Sequence, residues 1–188
     1  MRTFISINPR EDTKRKIFEI QNEIKFHLDD VTKYSIRWED NDKFHITLFF
    51  LGDVIDKQVD IIKNELSIIN EDRAYKEINF KYKSINAFTN LRNPRVLIID
   101  LKNEDMQIFR LYEEISSTLG KCGFEPEKKF HPHITLGRVR RDRNIKLKNL
   151  EQLNIPVLEF NINDFHFMES KIDSTGSTYK TIKKFELH

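Results

Sequence analysis

The chain has 188 residues, of which 38% are hydrophobic and 33% charged, with 15 phenylalanines and a formal net charge of +2. That length suits one domain or two small lobes sharing a core, and the phenylalanine and isoleucine content excludes global disorder. No run approaches the roughly 18 apolar residues of a membrane span, the start is too soon polar for a secretory signal, and the single Cys122 fits a reducing cytoplasm.

Residues 2–8 alternate as a strand, with Ile5 and Ile7 on one face. Pro9 and Asp12 open a helix whose apolar stripe is Ile17, Ile20, Ile24 and Leu28. Short strands are expected around Ile36–Trp38 and Phe44–Leu51, the latter ending at Gly52-Asp53. A second helix carries Val59, Ile62, Leu66 and Ile69. Strand-like runs follow at Ile78–Ala87 and Arg95–Leu101; Val96-Leu97-Ile98-Ile99, apolar throughout, reads as interior. A third helix presents Ile108, Tyr112, Ile115 and Leu119 and stops at Gly120. Phe130–Val139 reads as a strand, and Glu159–Glu169 and Thr178–Leu187 as two more, separated by the turn residues Asp173 to Ser177.

A weak internal repeat runs through this order. Phe44-His45-Ile46-Thr47-Leu48 is echoed by Pro132-His133-Ile134-Thr135-Leu136, close to half the chain away, and each copy is trailed by a glycine, Gly52 or Gly137. The repeat predicts two similar α+β lobes, each giving one motif strand to a shared cleft. Side chains two apart on a strand share a face. His45 and Thr47 therefore point together with Phe49 next, while Phe44, Ile46, Leu48 and Phe50 face the core; His133 and Thr135 oppose Ile134 and Leu136 in the same way. An imidazole gives or takes a proton near neutral pH, and a neighbouring hydroxyl can hold a non-bridging phosphate oxygen. Two such pairs facing each other would clamp a phosphodiester, one histidine acting as general acid and the other as general base. A lone histidine on a strand is usually structural; the near-identical second copy argues against that here. A zinc site built from His45, His131 and His133 is the competing reading. No Asp, Glu or Cys stands within the motifs and threonine is a poor zinc ligand, so no metal is expected.

At these residues the sequence resembles the 2H phosphoesterase superfamily, and within it the RNA 2′,3′-cyclic phosphodiesterases once named 2′-5′ RNA ligases. The resemblance covers nearly the whole chain: Arg2 to Ile7, Ile36-Arg37-Trp38, His45 to Gly52, Asn86-Ala87-Phe88, Pro94 to Leu97, Pro132 to Arg138, and Met168-Glu169-Ser170 with Gly176, Tyr179 and Phe185. It implies one bilobal α+β domain over residues 1–188, with two lobes, each an antiparallel sheet with helices on its outer side, facing each other across a central cleft. It implies that no metal is needed and that 2′,3′-cyclic phosphates at RNA ends are hydrolysed to 2′-phosphates; no cofactor is expected, and nothing in the sequence demands more than a monomer. By that resemblance His45 is the general acid, His133 the general base, Thr47 and Thr135 hold the phosphate oxygens, and Arg138 supports the phosphate. Arg138 lies five residues past His133, so an unbroken strand would turn it away; only a bulge or strand end near Gly137 lets it reach.

Other residues carry weaker signals. His131 shares a strand face with His133 and is a candidate for lining the cleft. Trp38 is a candidate stacking platform for a terminal base; Phe88 is another, although core packing is its expected role. The basic run Arg138, Arg140, Arg141, Arg143, Lys146 and Lys148 is a candidate RNA-backbone contact or a solvated loop. His27, His166 and Cys122 show no motif. The alternatives to RNA-end hydrolysis are hydrolysis of 2′-5′ oligonucleotides or small cyclic nucleotides by the same residues, and a non-catalytic RNA-end binding module.

Overall fold

The three isoleucines of the first stripe, Ile17, Ile20 and Ile24, are wholly buried along one face of α1 (Glu11–His27). Each contributes about 1.5–3 kcal/mol by leaving water. In a computed structural model of the chain, every residue is described except 70–74, 76, 127, 128, 149, 151, 152, 154, 173–175 and 188. Around α1 the described elements run β1 (Arg2–Ile7), α2 (Asp30–Tyr34), β2 (Ile36–Trp38), β3 (Ile46–Asp53), α3 (Asp56–Ile68), β4 (Ile78–Phe88), β5 (Val96–Lys102), α4 (Gln107–Lys121), β6 (His133–Val139), β7 (Glu159–Ile162), β8 (Asp164–Ile172) and β9 (Ser177–Glu186).

The strands form two sheets, ordered β3-β1-β8-β9 and β2-β6-β5-β4-β7, and every pairing is antiparallel. With the helices they make the two-lobed α+β architecture that the repeat implies. Each motif strand pairs with an inner, largely buried strand of its sheet: β3 with β1, and β6 with β5. The apolar run of β5 is interior as expected, with Leu97, Ile98 and Ile99 buried.

Both motif strands break register at the same place. Between β1 and β3, Ile5 faces Phe49 and Ser6 faces Thr47, which leaves Leu48 as an extra residue. Between β5 and β6, Leu97 faces Gly137 and Ile98 faces Thr135, which leaves Leu136 extra. Each bulge lies three positions past its motif histidine and shifts the later side chains by one. The expected faces of β3 are corrected accordingly: Phe49 is buried, whereas Phe50 is 48% exposed and lies on the cleft side. In β6 the same shift turns Arg138 to the cleft.

Other departures are local. The expected strand Glu159–Glu169 is two strands in different sheets, and the chain crosses between lobes at Asn163. Buried Ile162 and Phe165 are three apart, so alternation fails there. Helix α4 runs through Gly120 to Lys121, and its buried face uses Leu111 rather than Tyr112. Strand β6 starts at His133, not Phe130. The five-residue α2 is too short for a periodicity signal; Asp29 caps it by accepting hydrogen bonds from the Thr32 amide and hydroxyl. Of the expected C-terminal turn, Asp173, Ser174 and Thr175 lie outside the described residues.

Candidate active site

Between the sheets lies a cleft of about 860 Å³, lined by His45, Thr47, His133, Thr135, Arg138, His131 and Trp38 together. Every site residue expected from the sequence therefore reaches one space.

The two histidines are held alike. His45 stands immediately before β3, and its Nδ1–H donates to the Lys43 carbonyl at 2.7 Å. His133 opens β6, and its Nδ1–H donates to the His131 carbonyl at 2.7 Å. In both cases the acceptor lies two residues upstream, so each motif fixes its own tautomer and leaves Nε2 without the proton, able to accept one. The hydroxyls of Thr47 and Thr135 have no hydrogen-bond partner among the described residues.

Aromatic rings wall each imidazole. His45 packs between Phe4 and Tyr179, with both ring centroids 5.2 Å away. His133 meets Phe88 edge-on at 5.0 Å and stacks 5.9 Å from His131. Phe88 is not a core residue, as its sequence context suggests, but a 39% exposed ring on the cleft wall. Burial pushes His45 down to about 4, against the pull of its bond to the Lys43 carbonyl; the charges of His133, Arg138 and Lys14 push the same way. Burial also lowers His133, opposed by its bond to the His131 carbonyl and helped by the charge of His131. Burial in the cleft thus favours neutral imidazoles, and His45 is the more strongly affected.

Arg138 is tied to Glu39, Nε to Oε1 at 3.5 Å. The bulge that aims it is held from behind. The Leu136 carbonyl accepts from the Glu39 amide and from the Gln21 side-chain amide, both at 2.9 Å. Gln21 is wholly buried on α1 and also donates to the Glu39 carbonyl at 2.9 Å. Gly137 lets β2 approach: a Cβ there would stand 2.6 Å from Ile36 Cγ2 and 3.1 Å from the Arg37 carbonyl. Of the remaining basic run, Arg140 donates to the Tyr34 carbonyl and Arg143 pairs with Asp142; neither lines the cleft.

His131 donates from Nε2 to Asp100 Oδ1 at 2.7 Å, and Asp100 is nearly wholly buried. Burial would raise this carboxyl, but hydrogen bonds from His131, Asn86 and Ser84 hold it below the usual range. Trp38 donates from Nε1 to the Lys33 carbonyl at 3.1 Å, and the Lys25 ammonium sits 5.0 Å from its ring centroid. Among the described residues no group of three His, Cys, Asp or Glu side chains stands in metal-ligand geometry. Sequence reasoning missed Glu39, Asp100, Tyr179, Phe4 and Phe50. Glu39, Asp100, Tyr179 and Phe4 reach the site by pairing across strands or lobes, and Phe50 by the bulge at Leu48, so no local pattern announces them. His166 binds Asp164 and His27 the Glu23 carbonyl, each on its own element and away from the cleft.

Known proteins resemble this chain in sequence and in fold. The family model described as LigT like Phosphoesterase matches residues 7–98 and 99–179. A Thermotoga maritima protein named RNA 2′,3′-cyclic phosphodiesterase is 31% identical over 97% of this chain and 93% of its own. A Methanocaldococcus jannaschii protein of the same name is 29% identical over 98% of this chain and 100% of its own. The fold matches a Thermus thermophilus crystal structure with a TM-score of 0.78, at 20% identity over 100% of this chain and 98% of that one. It also matches E. coli LigT complexed with 3′-AMP, with a TM-score of 0.76 at 20% identity over 99% and 97% of the two chains. The doubled motif, the paired lobes and the full-length likeness together make this chain a member of the LigT-like phosphoesterase family.

Proposed function

We propose that the protein hydrolyses 2′,3′-cyclic phosphates at RNA ends to 2′-phosphates, by a metal-independent reaction in which His45 and His133 exchange protons with the substrate. The observation that carries this reading is the matched pair of motifs. Each presents an imidazole Nε2 and an unengaged threonine hydroxyl to the same cleft, with the ring tautomer set by a backbone carbonyl. The names of the Thermotoga maritima and Methanocaldococcus jannaschii relatives support the substrate class.

His133 Nε2 takes a proton from water as the water oxygen bonds to phosphorus. The bond from phosphorus to O3′ breaks, and His45 Nε2–H gives its proton to O3′. One water is added and no electron changes hands. Each proton transfer contributes about 10²–10⁴ in rate. Thr47, Thr135 and Arg138 hold the phosphate oxygens, while Trp38 and His131 contact the rest of the substrate. A second assignment, with the two histidine roles exchanged, is favoured by the stronger lowering of His45, which suits a base better than an acid in the free enzyme. In the first assignment the bound phosphate anion restores the proton to His45.

The reaction belongs to residues 1–188 acting as one bilobal domain, in a cytoplasmic monomer. No helix among the described residues is long and apolar enough to cross a membrane. The test is incubation of a 2′,3′-cyclic-phosphate oligonucleotide with the chelator-dialysed protein, followed by mass spectrometry. A gain of one water with a 2′-phosphate product is expected. Loss of turnover on dialysis with recovery on a specific divalent ion would overturn the metal-independent reading.

A further inference from the structure

Asp100 is the only buried carboxylate among the described residues, 3% exposed within β5. A charge held out of water is unfavourable unless it is fully partnered, and an apolar side chain of similar size avoids the penalty altogether. Its partners show what the charge holds. Ser84 on β4 stands directly opposite Asp100, and so does His133 on β6, so the three form one row across the sheet. Oδ2 accepts from the Ser84 hydroxyl at 3.2 Å and from the Asn86 side-chain amide at 3.0 Å, which fastens the carboxylate to β4. Oδ1 accepts the Nε2–H of His131 at 2.7 Å. His131 in turn holds His133 in two ways. Its carbonyl takes the Nδ1–H of His133 at 2.7 Å, and its ring stacks on that of His133, with centroids 5.9 Å and planes 29° apart. The Leu101 amide donates to the Pro132 carbonyl at 3.0 Å. Strand β5 therefore grips the segment just ahead of β6 by one main-chain bond and one side-chain bond. The other lobe has an exposed counterpart: Lys43, whose carbonyl fixes His45, pairs with Asp40 at 2.6 Å.

We propose that Asp100 is a positioning residue for His133 that acts through His131: the buried carboxylate fastens the peptide and the ring that keep the His133 imidazole in one tautomer and one direction. The inference rests on the reading of His133 as a proton-exchanging residue, and it deepens that reading. Asp100 does not line the cleft, so it touches no substrate. A buried aspartate that orients an imidazole and offsets its charge is the device of the serine-protease triad; here the carboxylate stands one imidazole further back. Its charge favours a proton on His133, whereas the charge of His131 opposes one. Without the carboxylate the His131 side chain is released, its carbonyl is held less firmly, and the Nδ1–H of His133 loses a fixed acceptor. Nε2 is then no longer the one nitrogen offered to the cleft.

The test uses the full chain with Asp100→Asn, His131→Gln and both together. The tautomer of His133 is read by nitrogen-15 NMR of the histidine rings, without substrate and in alkaline buffer, where the imidazole is neutral. Adenosine 2′,3′-cyclic phosphate is the substrate for kcat and KM. The wild-type His133 should carry its proton on Nδ1 alone. Each single variant should show the second tautomer, and Asp100→Asn should lower kcat by about tenfold or more with a smaller change in KM. That kcat loss should largely vanish in the His131→Gln background, since the influence of Asp100 runs through His131. A folded Asp100→Asn protein with the wild-type tautomer or the wild-type kcat overturns the proposal, as do additive losses in the double variant. Should Asp100→Asn fail to fold, His131→Gln decides, because that side chain is 44% exposed and its loss is tolerated by the fold; an unchanged His133 tautomer there overturns the proposal. A changed tautomer in a protein whose wild type hydrolyses no cyclic substrate leaves the hold of Asp100 on His133 standing and removes the proposed reaction instead.

Discussion

At the scale of single residues, the cleft holds two imidazoles where burial disfavours their charge. His45→Ala and His133→Ala should each remove most turnover, by about 10²-fold or more, while circular dichroism stays native, because both rings face the cleft and not the core. Near-normal activity in either variant would take that residue out of the pair. Unperturbed histidines would centre the pH profile near 6.5. Burial lowers both here, so the kcat/KM optimum, which reports the free enzyme, is expected on the acid side of that value. The kcat optimum should lie at higher pH, since bound phosphate favours the protonated rings. The limbs belong to the coupled pair, but substitution of the acid should erase the alkaline limb and substitution of the base the acidic one; the opposite order would exchange the roles of His45 and His133. The same burial has a cost in stability. The folded protein binds the His45 proton only near pH 4, the unfolded chain near 6.5. No penalty exists above about pH 6.5; it grows as pH falls and reaches roughly 3 kcal/mol below pH 4. Urea denaturation should therefore find His45→Gln gaining stability relative to wild type between pH 7.5 and 4.5. An equal difference at both pH values would contradict the lowered imidazole.

At the scale of elements, the bulges decide which side chains the motifs deliver. Alternation alone identifies His45, Thr47, His133 and Thr135, because all four precede the extra residue. It fails just after, so Phe49 and Phe50 exchange faces and Arg138 is reached only by conceding a bulge. Nothing local in Thr-Leu-Gly or Thr-Leu-Phe announces that an extra residue will be tolerated. What tolerates it is remote: Gln21 on α1 and the Glu39 amide, which satisfy the Leu136 carbonyl. Gln21→Leu should thus leave the Glu39 carbonyl without its buried donor, costing about 1–3 kcal/mol, and should lower kcat by loosening Arg138. A double-mutant cycle with Arg138→Ala reads the coupling: the kcat loss from Gln21→Leu should largely vanish once Arg138 is gone, whereas additive losses would mean that Gln21 only supports the fold. Gly137→Ala, forced against Ile36, should destabilise by about 1–3 kcal/mol and lower kcat with it, as seen by denaturation and steady-state assay. The break between β7 and β8 was hidden for a related reason. Both halves look like strand, and only the odd spacing of Ile162 and Phe165 marks the change of sheet.

At the scale of the molecule, the two sheets are bound by more than the cleft they enclose. The chain crosses between them at Asn163, and α1, which follows the first strand of one sheet, delivers Gln21 to the backbone of the other. Unfolding should accordingly be one event. The ellipticity of the whole chain and the fluorescence of Trp38, the single tryptophan, should lose their native values at the same denaturant concentration; two separated midpoints would show lobes that fold on their own. The sequence repeat made this bilobal plan legible, but not the swap of supporting contacts, which depends on residues far apart in the chain. The repeat also stops short of identity at one telling place. Five residues past each motif histidine the bulge turns a side chain into the cleft: a phenyl ring, Phe50, from one lobe and a guanidinium, Arg138, from the other. Two identical halves would accept the proposed phosphodiester equally well in either of two opposed directions. An uncharged ring in one lobe against a cation in the other breaks that degeneracy, together with the unlike rings that wall His45 and His133.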